Sequence, residues 1–201
     1  MGTRRARGGR SVTEQARRGQ IVTAAIAVIA ESGYSRASFA RIAERAGLSS
    51  TGLISYHFAN RGELMEQVVE RVIGAITEFM GDRMTGATGA ADALRRYIEG
   101  NAAFVETHPA EMKALLEIFL GGGFSYDAGQ DREAKSPVEQ ILRAGQASGE
   151  FRDFNVTVMA TMIQRAVDGL PFLLTDDPDF DTRTYAAEVI TAFELATRAA
   201  P

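Results

Sequence analysis

Residues 38–64 read SFARIAERAGLSSTGLISYHFANRGEL. Ser38 is a helix-capping residue type, and Phe39, Ile42 and Ala43 fall on one face of a short helix from Phe39 to Ala46. Gly47 stops that helix, and Ser49 or Ser50 begins another that reaches about Phe58. Two short helices around a glycine turn make a helix-turn-helix, whose second helix can enter the major groove of DNA. Ser49, Ser50, Thr51, Gly52, Ser55, Tyr56 and His57 are small or polar and able to approach phosphates and base edges, while Leu53, Ile54 and Phe58 are expected to face inward. Hydroxyls at a helix start, beside free backbone N–H groups, can meet a phosphate. Arg61 would add a charged phosphate contact just beyond. The bland alternatives are capping by Ser38, Ser49 and Ser50, packing of Tyr56 and His57 between helices, and a solvated Arg61.

Helical spacing continues on both sides of this stretch, and no alternating Val, Ile and Thr run bounded by hairpin turns appears. A first helix is predicted from about Thr13 to Ser32, stopped by Gly33, with Val22, Ile26 and Ile29 on its apolar side. A long helix from Asn60 to about Met84 would span roughly 35 Å. Further helices are expected over Ala90 to Thr107, Pro109 to the Gly121-Gly122-Gly123 run, Ser136 to Ser148, Val156 to Leu174 and Thr182 to Ala199, with Phe124 to Lys135 a polar loop. The fold class is all-α. A basic arm covers residues 1–12, a helix-turn-helix unit 13–59 and a larger helical domain 60–201.

Charge divides the chain in the same place. Residues 1–64 hold ten Arg against four Glu, a balance of +6. Residues 65–201 hold twelve Lys or Arg against twenty-two Asp or Glu, a balance of −10, within a net charge of −4. The N-terminal third is therefore suited to a polyanion, and Arg4, Arg5, Arg7 and Arg10 could lie in a minor groove. The absence of cysteine excludes a disulfide scaffold, cysteine-ligated zinc, iron–sulfur ligation and thiol catalysis, and two histidines exclude a site of several imidazoles. The apolar run Ile21 to Ala30 is far short of a membrane span, and Ala6 breaks a myristoylation signal. An untargeted cytoplasmic protein without a membrane partner is expected. Asp177, Asp179, Asp181 and Glu188 are spaced like a calcium loop, but Thr182 stands where glycine is required and Pro178 stiffens the turn. No metal or cofactor is expected.

The turn Ile42 to Ser49, then Tyr56-His57-Phe58, then Arg61 and Leu64 closely resemble the TetR family of one-component transcriptional regulators. The resemblance is specific over about residues 15–70. It implies a three-helix DNA-binding head on a larger helical, dimerising effector domain, about nine helices in all. Two departures stand out. Between Gly47 and Phe58 the chain carries one residue more than the commonest family spacing, within Ser49 to Thr51, and Ser55 replaces a frequent aromatic.

In the second domain, Phe79, Phe104, Phe119, Met159 and Met162 are candidates to line a cavity for a mostly apolar effector, with Arg165, Gln164 and Asp168 as polar anchors. Plain core packing is the alternative for each. Val156, Met159, Ile163, Val167 and Leu170, with Ala186, Val189, Ile190 and Phe193, form apolar faces that the resemblance pairs across a homodimer axis. Pro171 is expected to kink or interrupt its helix. The combined expectation is a ligand-responsive homodimer that binds double-stranded operator DNA, a repressor rather than an activator. The rival classes are a helical carrier or enzyme with a DNA-binding head that has lost function, and a nonspecific DNA-packaging protein. No nucleophile–base set or phosphate-binding loop supports catalysis, and the acidic domain opposes packaging.

Overall fold

Side-chain caps set the helix starts. In the computed structural model, which describes residues 12–122 and 136–199, Asn60 Oδ1 accepts from Glu63 N–H (3.0 Å), Asn155 Oδ1 from Val158 N–H (3.1 Å), and Asp181 Oδ1 from Arg183 and Thr184 N–H. Ser38 and Ser136 cap in the same way. The helices run α1 Val12–Ser32, α2 Phe39–Arg45, α3 Gly52–His57, α4 Arg61–Met84, α5 Ala90–Thr107, α6 Pro109–Leu120, α7 Pro137–Ser148, α8 Val156–Asp176 and α9 Thr182–Thr197. A short 3-10 turn, Tyr34–Arg36, lies between α1 and α2.

Two apolar cores divide the chain. The first joins α1, α2, α3 and the start of α4 through Ile21, Ile29, Ile42, Ile54, Phe58, Leu64 and Met65, each at most 1% exposed. It also takes Ala114, Leu115 and Ile118 of α6, so the helix-turn-helix unit is completed by a helix from the following domain. Each such buried aliphatic side chain contributes roughly 1.5–3 kcal/mol. The second core gathers the end of α4 with α5, α7, α8 and α9 around Leu94, Ile98, Leu142 and Ile163.

That second core changes the expected pairing surface. Val156, Met159, Ile163 and Leu170 of α8, and Ala186, Ile190 and Phe193 of α9, are buried within the chain, packed mainly against α5 and α7, and are not free for a partner. The exposed apolar side chains lie on the other side of these helices: Val158, Met162 and Phe172 on α8 and Leu195 on α9. Both faces of α8 are apolar, and α5 claims one of them. Pro171 does not end α8, which continues to Asp176. Asp181, in the rejected calcium-loop spacing, caps α9, and the Thr184 hydroxyl together with backbone N–H groups holds its carboxyl below the usual range. Val12 is already helical. The remainder of the basic arm, and the loop from Phe124 to Lys135, lie outside the described residues.

Candidate nucleic-acid interface

Gly47 adopts a left-handed conformation, with φ of 63°, in the turn after α2, where any side chain would be strained. The chain then runs through Ser49, Ser50 and Thr51 before α3 opens at Gly52. Ile54 (0% exposed) and Phe58 (1%) anchor α3 in the first core. Their burial fixes its rotation. Ser49, Ser50, Thr51, Gly52, Ser55 and Tyr56 are consequently exposed, as is Ser38 at the start of α2.

The side chains of Ser49, Ser50, Thr51 and Ser55 and the Tyr56 hydroxyl make no hydrogen bond among the described residues. Thr51 sits at the N-cap of α3 without capping it. Ser38 is committed as a cap, accepting from Arg41 N–H at 3.4 Å. Tyr56 is 79% exposed, with the edge of its ring set against His57 at 5.1 Å. His57 is half-buried, and its Nδ1 is enclosed without a partner.

Three placements differ from the sequence reading. Leu53 faces outward, 37% exposed. Arg61 is not a free phosphate contact: it donates to the Tyr34 carbonyl, its guanidinium lies 4.1 Å from the Tyr34 ring centroid, and its Nε is buried. Arg18, which the charge count places with the polyanion-facing residues, is buried beneath α3. Arg41, which sequence reasoning passed over, stands exposed on α2 with no acceptor for its guanidinium among the described residues. Its position on the outer face of the first short helix was the available signal.

The head meets the body at Tyr34. Glu117 Oε2 of α6 accepts from Tyr34 N–H at 3.1 Å, and a side chain at Gly121 would collide with the Tyr34 ring. Arg61, at the start of α4, closes the same junction from the other side.

The candidate effector residues do not converge on one cavity. Phe79 and Phe104 meet edge to face at 5.2 Å, Phe104 stacks on His108 at 4.3 Å, and Arg83 lies 3.5 Å over the Phe79 ring. Met159 belongs to the second core, Phe119 sits part-exposed on α6, and Met162 and Arg165 lie on the outer face of α8. The reason is helical phase, since Met159 and Ile163 point inward and residues 162 and 165 do not. Gln164 is the polar residue that turns inward: it accepts from Tyr97 Oη at 2.8 Å and donates to Asp168 at 2.7 Å. Burial, with the Asp168 charge adding to it, pushes the Tyr97 phenol up to about 12. Ile98, Val167, Leu170 and Tyr185 enclose a cavity of about 10 Å³, room for one water at most.

Residues 21–68 match the family model described as bacterial regulatory proteins, tetR family. Over that helix-turn-helix segment the chain is similar to the tetR family of regulators. The HTH-type transcriptional regulator BetI of Cronobacter sakazakii is 30% identical over 105 residues, 51% of this chain and 52% of the relative. BetI of Escherichia coli is 31% identical over 102 residues, 50% of this chain and 52% of that protein. The chain thus spans about half the length of the curated relatives it matches. A transcriptional regulator from Saccharomonospora viridis, solved in complex with choline, superposes with a TM-score of 0.79 at 21% identity, covering 92% of this chain and 100% of that one. The fatty acid degradation regulator FadR of Bacillus halodurans superposes at 0.74 with 20% identity, covering 92% and 95%. At these identities the likeness carries the TetR fold, a helix-turn-helix head on a helical body. The matched segment holds the end of α1, α2, α3 and the start of α4. Among the described residues, no helix is long and apolar enough to cross a membrane.

Proposed function

We propose that this chain is a homodimeric, ligand-responsive transcriptional repressor of the cytoplasm, released from its operator by a mostly apolar small molecule. The observation that carries this reading is the outer face of α3, where Ser49, Ser50, Thr51, Ser55 and Tyr56 are exposed and their polar groups uncommitted while Ile54 and Phe58 lock the helix from beneath. Arg41 supplies a cation for the phosphate backbone beside them. Two copies joined through the exposed stripe of α8 and α9 would present two such helices to one duplex. Release follows when an effector favours an arrangement of the body that shifts α4 and α6 against the Tyr34 junction.

One observation favours a second reading of the effector as a small organic cation. Phe79 already holds a cation, its own Arg83, on its ring face, and the Saccharomonospora protein was solved with choline, whose trimethylammonium group suits such a surface.

The test is a selection from randomised duplexes, followed by gel shifts on the enriched site with choline or its neutral carbon isostere. The wild type is expected to enrich one two-fold symmetric site and hold it against random competitor. Tyr56→Ala with His57→Ala abolishes that complex and leaves the dimer intact. Release by both compounds supports the apolar effector; release by choline alone supports the cation. Failure to enrich any site overturns the reading.

A further inference from the structure

We infer that Leu53 is a specificity-determining residue that reads the C5-methyl group of a thymine in the major groove. The inference rests on α3 being the helix that enters DNA. Over residues 13–60, Leu53 and Tyr56 are the exposed large hydrophobic side chains, and both belong to this six-residue helix. Three positions apart, they share its outer face. Ile54 at 0% exposure and Phe58 at 1% hold that rotation, so Leu53 cannot turn into the core without expelling a fully buried neighbour. Leu53 is absent from the first core and flanked by Gly52, which has no side chain, and by the inward Ile54, so its exposed part, 37% of the residue, lies on the outer face.

Chemistry then restricts what it can recognise. A leucine side chain neither donates nor accepts a hydrogen bond, which removes phosphates and the polar base edges. In the major groove the thymine methyl is the apolar feature that distinguishes one base pair from the others. Ser55 and Tyr56 on the same face supply the hydroxyls for polar edges, and Leu53 supplies the methyl contact. The division of labour explains why an aliphatic side chain is exposed among hydroxyls.

The experiment uses the full-length protein and the duplex that the wild type enriches from a randomised pool. Each thymine of that duplex is replaced in turn by uracil, which lacks only the methyl group, and affinity is measured by fluorescence anisotropy. For the wild type, one thymine in each half-site is expected to show a loss of about fourfold, the worth of one methyl removed from water. Leu53→Ala binds the thymine and uracil duplexes alike at that position, and Leu53→Met, which keeps an apolar reach, retains the discrimination. Both variants keep the fold, because the side chain lies outside the core. A wild type indifferent to every uracil, or a Leu53→Ala variant with the wild-type penalty, overturns the inference while leaving the regulator reading intact. Failure to enrich any duplex overturns that reading and this inference together.

Discussion

Arg18 and Glu63 close an ion pair beneath the end of α3, with Arg18 Nη2 donating to Glu63 Oε1 at 3.1 Å. The other nitrogen, Nη1, donates to the His57 carbonyl, the last of α3, and the guanidinium plane lies 4.1 Å from the centroid of Phe58. Glu63 Oε2 in turn accepts from Ala59 N–H at 2.7 Å. One half-buried pair therefore ties the exit of α3 to the entry of α4. A short helix leaves its final carbonyls without intrahelical partners, and Arg18 satisfies one of them.

Arg18→Gln is expected to weaken operator binding about tenfold without altering its salt dependence, because the residue positions α3 and touches no phosphate. Glu63 is one-third exposed, so breaking the pair costs about 1–2 kcal/mol of stability, less than for a fully buried pair. Binding is therefore measured well below the melting temperature of the variant, with circular dichroism confirming a folded head. A salt slope shallower by about one would show that Arg18 meets DNA directly.

Much of this architecture is legible in the sequence where the determinants are local. Asn60, Ser136 and Asp181 announce helix starts by their residue type, and Gly47 marks the central turn. The exposed hydroxyl face of α3 follows from the same stretch. What the sequence hides is long-range. Leu53 reads as inward-facing because a helix of under two turns has too few residues for periodicity to fix its face. Arg18 reads as one more surface cation until its partner in α4 is found. The apolar residues of α8 surround most of the helix, so spacing alone could not choose between the side that meets α5 and the side left open. Ala114, Leu115 and Ile118 join the first core across nearly a hundred residues of intervening chain, a contact no window of sequence contains.

Acid should release a different restraint. The Glu150 carboxylate accepts from Ala90 and Ala91 N–H, each at 3.1 Å, and from the Ser148 hydroxyl at 3.0 Å. The two backbone bonds, with Ser148 assisting, hold its carboxyl below the usual range. A depressed folded value means that stabilisation is present above the unfolded carboxylate pKa of about 4.3 and is lost as pH falls through the folded value. Glu150→Gln should therefore melt earlier than wild type at neutral pH, and the two curves should converge in acid. A gap in melting temperature that persists unchanged at the lowest pH would show that the carboxylate charge contributes nothing at the start of α5.

The exposed stripe on α8 makes the homodimer testable without DNA. Val158 (56% exposed), Met162 (54%) and Phe172 (46%) lie on one side of α8, and Leu195 (62%) lies exposed on α9. Pairing across a two-fold axis would bury each of them twice, once in each subunit. Met162 is 54% exposed, so completing its burial contributes at least about 0.8 kcal/mol per copy; two lost copies weaken the dimer about tenfold, and a charge at that position adds a desolvation cost. Met162→Asp should consequently shift the protein from dimer to monomer in sedimentation velocity at micromolar concentration. Its helical circular dichroism should not change, because the side chain supports no internal packing. Two half-sites then bind independently, with affinity for the full site falling toward that for one. A wild type that sediments as a monomer, or a Met162→Asp variant that remains dimeric, would place the subunit contact elsewhere on the molecule.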